Sequence, residues 1–163
     1  PADGGSHPGR GADRWQPVVT ARFLLDTNAL REPVRDTPDP AFMRQFQLHM
    51  HSLAIPAPGW HESLYGLAKL PAGKYRERVE DFLFSVLLPS VEILPYDGEA
   101  ARYHAEERAR LDTAGTPVGF ADGQVAAVAA RFDLTLVTNN ERHLARFQGI
   151  RVANWMSQRG PGV

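Results

Sequence analysis

The chain has 163 residues, 43% of them apolar and 23% charged, with a net charge of −1. That composition suits one globular domain able to bury its own core, and it excludes a polycation, so any nucleic acid must be met by a local basic patch. With no cysteine, disulfides and thiolate metal sites are excluded and a reducing, cytoplasmic setting fits; no stretch is apolar and long enough for a membrane span.

Residues 1–20 are rich in Gly, Pro and polar side chains and lack a secretory apolar region, so they read as a disordered tail or upstream extension. The ordered domain is expected over 21–157, followed by a flexible end at 158–163. The run Arg22 to Asp26 reads as a buried strand ending in an acid. Thr27 and Asn28 supply turn chemistry before a short helix that Pro33 and Pro38 interrupt. Asp39 followed by Pro40 is the pattern of an N-cap with proline in the first turn, and it opens a helix over 41–50. A second strand is expected over 53–58, weakened by its prolines. Residues 60–70 read as a helix with Leu64, Leu67 and Ala68 on one face and Gly66 allowing close approach.

A longer helix is expected from Gly73 to Leu88, with Val79, Phe82, Leu83, Val86 and Leu87 as its buried stripe. A third strand over 91–96 and a helix over 98–115 follow, the latter stopped by Gly115. After a loop at Pro117 and Gly119 come a small-residue helix over 120–132, a strand over 134–138, a short helix over 140–147 and a last strand over 150–155. Alternation of strands and helices predicts an α/β sandwich with a mostly parallel central sheet of about four to five strands. Such folds gather ligand groups at the carboxyl ends of their strands.

Three acids lie at element ends. Asp26 closes the first strand, Glu62 falls in the first turn of its expected helix, and Asp122 starts another. Singly, each has an ordinary reading as a turn residue or a charge favoured by a helix dipole. Together they make a cluster that needs a counter-cation, and an oxygen-only donor set favours Mg²⁺ or Mn²⁺.

These residues carry a resemblance. The segment 24–30 (LLDTNAL) resembles the opening motif of PIN domains, with Asp26 as first acid. Segment 61–67 (HESLYGL) resembles their second motif and 116–129 (TPVGFADGQVAAVA) their third. Residues 136–155 resemble the last strand, turn and closing strand. The four motifs occur in family order across residues 22–156, and they are most similar to the VapC toxins, including the plasmid-stability proteins.

The resemblance implies a PIN-like fold and a metal-dependent endoribonuclease of a toxin–antitoxin pair, cutting transfer or ribosomal RNA to leave a 5′-phosphate and a 3′-hydroxyl. It implies that Asp26, Glu62 and Asp122 hold Mg²⁺ or Mn²⁺, with Thr27, Asn28 and Thr138 orienting the carboxylates. It further implies a homodimer and a VapB-like antitoxin laid over the acidic groove, with some of Phe42, Phe46, Leu48, Phe82 and Phe84 available for those contacts. Where the family often places a fourth acid, this chain has Asn140 and His143. Asn140 reads either as a weak neutral ligand or as the cap of the last helix; His143 is a possible substitute in that position. Lys69, Arg108, Arg110, Arg142 and Arg146 are candidates for RNA phosphates, each equally readable as part of a solvated helix face. Arg14 and Trp15 are candidates for folding back into the groove.

Other readings of the same residues are a PIN nuclease of RNA or DNA processing outside toxin systems, a degenerate PIN module that binds without cutting, and a phosphatase or receiver domain using Asp26.

Overall fold

The computed structural model describes residues 19–157. The expected tails, with Arg14 and Trp15, therefore lie outside the described residues, apart from Val19 and Thr20. Strand β1 (Phe23–Leu25) leads into helix α1 (Thr27–Arg31) and a 3₁₀ turn (Glu32–Val34). Helix α2 (Pro40–His49) is followed by β2 (Leu53–Pro56), α3 (Ala57–Lys69) and α4 (Lys74–Asp81). Then come β3 (Glu92–Leu94), α5 (Gly98–Thr113), α6 (Phe120–Arg131), β4 (Thr135–Val137), α7 (Glu141–Leu144) and β5 (Arg151–Ala153).

The five strands form one sheet in the order β3-β2-β1-β4-β5, and every pairing is parallel. The strands are short; β1, β2 and β4 are largely buried on both faces, as parallel strands under helices must be, whereas the edge strands β3 and β5 are more exposed. Leu25, Leu53, Ile55 and Val137 face one core with Phe42, Phe46, Leu67, Phe82 and Leu87 from α1–α4 and its continuation. Leu24, Ala54, Leu94 and Leu136 face the other with Leu111, Val125 and Val128 from α5 and α6. The sandwich is thus helix on sheet on helix. A receiver has strand order 2-1-3-4-5; here β3 lies outside β2, which removes that reading.

Three expectations need correction. Helix α3 begins at Ala57, because Pro56 and Pro58 occupy the N-cap and first turn, where a missing N–H costs nothing. Glu62 is therefore a turn further in than expected and gains little from the helix dipole. The buried side of α3 is Gly59, Ser63 and Leu67, whereas Ala68 is exposed. The helix from Lys74 does not run on as an α-helix: residues Phe82–Leu87 widen to a π-turn, with Leu88 N–H donating to Leu83 O at 3.0 Å. That extra residue per turn keeps Phe82, Leu83 and Leu87 inside and rotates Val86 out to 41% exposure.

Candidate active site

The chain leaves β1 to build β2 and β3 on one side, then returns to lay β4 on the other. This reversal opens a crevice beyond the carboxyl ends of β1 and β4, the place where α/β sheets hold ligands. Asp26 follows β1 and Thr138 follows β4, so parallel pairing alone brings them together across 112 positions.

Asp26 is 6% exposed and caps α1. Its Oδ1 accepts the Ala29 N–H at 2.6 Å, and its Oδ2 accepts the Thr138 hydroxyl. Burial pushes its carboxyl above the usual range; those two hydrogen bonds pull it back, and the charge of Asp122 pushes it further up. The ordinary reading of Asp26 as a turn residue is therefore true, and it accounts for only one of the two oxygens.

Asp122 lies in the first turn of α6 and is partly buried. Burial also raises its carboxyl; His143 draws it down, and the Glu62 charge adds to the rise. Glu62 is exposed at the edge of the crevice, with Oε2 accepting the Thr27 hydroxyl at 2.8 Å and Oε1 3.6 Å from the Arg31 guanidinium. Thr27 and Arg31 are one α1 turn apart, so both face α3. Arg31 escaped the sequence reading, although its i, i+4 spacing from Thr27 is the signal that would find it.

Asn140 links the parts. Its backbone N–H donates to Thr138 Oγ1 at 2.9 Å, its side-chain amide lies 3.4 Å from Asp122 Oδ2, and its Oδ1 meets His143 Nδ1 at 2.7 Å. Asn140 is the N-cap of α7 as expected, but through its backbone carbonyl, which accepts from the His143 and Leu144 N–H groups at 3.2 Å; its side chain makes no capping hydrogen bond. The reading of Asn28 is corrected. Its side chain is exposed and holds no carboxylate, and only its backbone N–H bears on Asp26.

Asp26, Asp122 and Glu62 thus form a row in which Asp122 is the middle charge. They do not make a ready cage: among the described residues no group of three His, Asp or Glu side chains is close enough to enclose an ion. Each carboxylate instead leans on a protein donor, namely Thr138, Asn140 or Thr27. The residues nevertheless fit a hard divalent cation: the donors are all oxygen, two are held partly desolvated, and their mutual repulsion is what a cation relieves.

The cations named as phosphate candidates divide. Arg142 and Lys69 are exposed, Lys69 lying 5.2 Å over the Tyr65 ring. Arg108 lies 5.4 Å over Phe120. Arg110 is withdrawn from the phosphate candidates, because it grips Glu107 with two bonds of 2.8 and 2.7 Å and also donates to Arg146 O. A cleft of about 380 Å³ beside Glu62 runs between α3 and α6, with His61, Ala121 and Gln124 on its walls. Of the five apolar residues named for partner contacts, Phe42, Phe46 and Phe82 are core, while Leu48 and Phe84 are 74% and 44% exposed.

Comparison with known proteins places this geometry. The family model described as PIN domain matches residues 23–150. The tRNA(fMet)-specific endonuclease VapC of Salmonella typhimurium is 34% identical over 134 residues, covering 82% of this chain and 98% of that protein. Toxin FitB of Neisseria gonorrhoeae is 32% identical over 121 residues, covering 72% and 87% respectively. A crystal structure of DNA-bound VapBC from Salmonella typhimurium superposes with a TM-score of 0.72 at 32% identity, covering 83% of this chain and 98% of that one.

Proposed function

The chain belongs to the PIN-domain family, and from that premise we propose that it is a metal-dependent endoribonuclease toxin, held silent by a cognate antitoxin. The observation that carries this reading is the carboxylate row Asp26–Asp122–Glu62, with Asp26 at the end of β1 and the others on α6 and α3, in a chain whose relatives include an endonuclease and a toxin. Asp26, Asp122 and Glu62 would hold Mg²⁺ or Mn²⁺, and Asn140, whose amide nitrogen lies 3.4 Å from Asp122 Oδ2 while its oxygen meets His143, would steady Asp122 in the fourth position. When bound, such an ion supplies positive charge against phosphate oxygens and acidifies water at neutral pH.

The protein's own part is orientation. Thr138 fixes the Asp26 carboxylate, Thr27 fixes that of Glu62, and Asn140 reaches Asp122 from the same loop that supports Thr138. Arg31 partly neutralises Glu62 at 3.6 Å and limits repulsion in the row. Arg142, Lys69 and Arg108 would meet the RNA backbone. RNA cutting and a cytoplasmic location go together, since that is where transfer and ribosomal RNA are found. The described residues include no helix long and apolar enough to cross a membrane.

An apolar groove of about 230 Å³ between α1, α3 and α4 supports the partner reading. Leu30, Leu67, Val79 and Phe82 line it, and it opens beside Arg31. An antitoxin segment seated there would lie next to Glu62. Exposed Phe84, Val86, Leu88 and Ile93 supply apolar surface for a second copy of the chain.

The test is cleavage of total cellular RNA by the purified chain with Mg²⁺ or Mn²⁺, with chelator, and with Asp26→Asn or Asp122→Asn. Cutting that stops with chelator and in both variants is expected. Undiminished cutting by either folded variant refutes the carboxylate model.

A further inference from the structure

Phe120 opens α6 two residues before Asp122, and its ring is 56% exposed. Two side chains of α5 define its surroundings. The His104 ring packs against it at 4.9 Å, tilted by 48°, and the Arg108 guanidinium lies 5.4 Å over it. His104 itself is 4% exposed and fixed by Tyr96, whose hydroxyl meets Nδ1 at 3.0 Å. The Phe120 ring is therefore set on a rigid support while most of its own surface meets water. Arg108 has only a loose tie elsewhere, 4.0 Å from Asp112, and is about half exposed. A cleft of about 310 Å³ runs along these residues between Tyr96 and Phe120.

An exposed aromatic face with a guanidinium beside it is how proteins hold unpaired bases. The ring stacks on any base, and the cation serves the phosphate or a second π-face. Phe120 and Asp122 share the first turn of α6, their Cα atoms about 5–6 Å apart, with the ring turned to α5 and the carboxylate to Asn140. We propose that Phe120, with the Arg108 guanidinium over part of its ring, is a stacking platform for an unpaired nucleobase of the bound RNA. The proposal rests on the ribonuclease reading for its substrate and adds a base-binding residue to it.

The experiment measures binding in the non-cutting Asp26→Asn chain by fluorescence anisotropy, with two labelled strands of equal length: oligoadenylate, and a fully abasic strand of the same backbone. Adding Phe120→Ala is expected to weaken oligoadenylate binding about five- to hundred-fold and to leave the abasic strand unaffected. Phe120→Trp is expected to restore the loss. Equal affinity for oligoadenylate with and without the ring overturns the proposal. So does an equal loss on both strands, which would mean disturbed phosphate contacts or folding, and so does failure of the chain with Phe120 intact to prefer oligoadenylate. The ribonuclease reading stands or falls separately, on metal-dependent cutting of total RNA by the unmutated chain.

Discussion

Gly123→Ala tests the packing that carries Asp122. A Cβ at Gly123 would sit 2.6 Å from His104 Cδ2 and 2.9 Å from Cε1, with Nε2 closer still. Because three ring atoms are involved, rotation of the ring tip does not clear the clash. The ring is held by Tyr96 on one side and Phe120 on the other. Overpacking of this kind costs about 1–3 kcal/mol, and losing the Tyr96 hydrogen bond adds about 1 kcal/mol. Replacing glycine by alanine in a helix returns about 1 kcal/mol.

The net expectation is a loss of about 2 kcal/mol, or roughly 5–8 °C in melting temperature for a domain of this size. Thermal melts of wild type, Gly123→Ala, His104→Ala and the double variant form a cycle. The double variant should be less destabilised than the two single losses predict, since alanine at 104 vacates the space that the new methyl needs. Gly123→Ala melting within about 1 °C of wild type refutes the packing argument, as would simple additivity in the double variant.

Two further outcomes concern the charges. Asp122 titrates above its unfolded value because of burial and the Glu62 charge, so the folded state binds protons more readily than the unfolded chain. The contribution of Asp122 to metal-free stability should therefore fall as pH rises above about 4. In chelator at neutral pH, Asp122→Asn is expected to melt above wild type, with the gap closing below about pH 4; a variant that melts lower by the same margin at every pH contradicts this. Asn140→Asp exchanges the amide donor 3.4 Å from Asp122 for a repelling carboxylate. It should lower the metal-free melting temperature and enlarge the rise that Mg²⁺ or Mn²⁺ produces; an unchanged metal response removes residue 140 from the ion's surroundings.

Local chemistry was legible in the sequence wherever it dominates. Asp39 does cap α2, accepting from Ala41 and Phe42 at 2.8 and 3.1 Å, and Gly115 takes the positive φ of 69° that ends α5. The parallel sheet and the PIN resemblance followed from strand–helix alternation and motif order. What stayed hidden was decided by tertiary context. The π-turn at 82–87 has no sequence period of its own, so Val86 was assigned inside. The prolines near 56–58 looked like strand breakers but served as a helix start. Arg110 carries the same charge as Arg142, and only the fold shows that Glu107 claims it. Asn140 reads equally as cap or ligand, and only the fold shows that its backbone caps α7 while its side chain joins His143 and Asp122.

The bond between Thr138 and Asp26 also bears on timing. It joins a residue made early in synthesis to one made late, and Asn140, from the same late loop, completes the surroundings of Asp122. A chain still growing on its ribosome has the first aspartate but neither the strand that flanks it nor the loop that sets the second. The carboxylates are thereby left unassembled until nearly the whole domain has been translated.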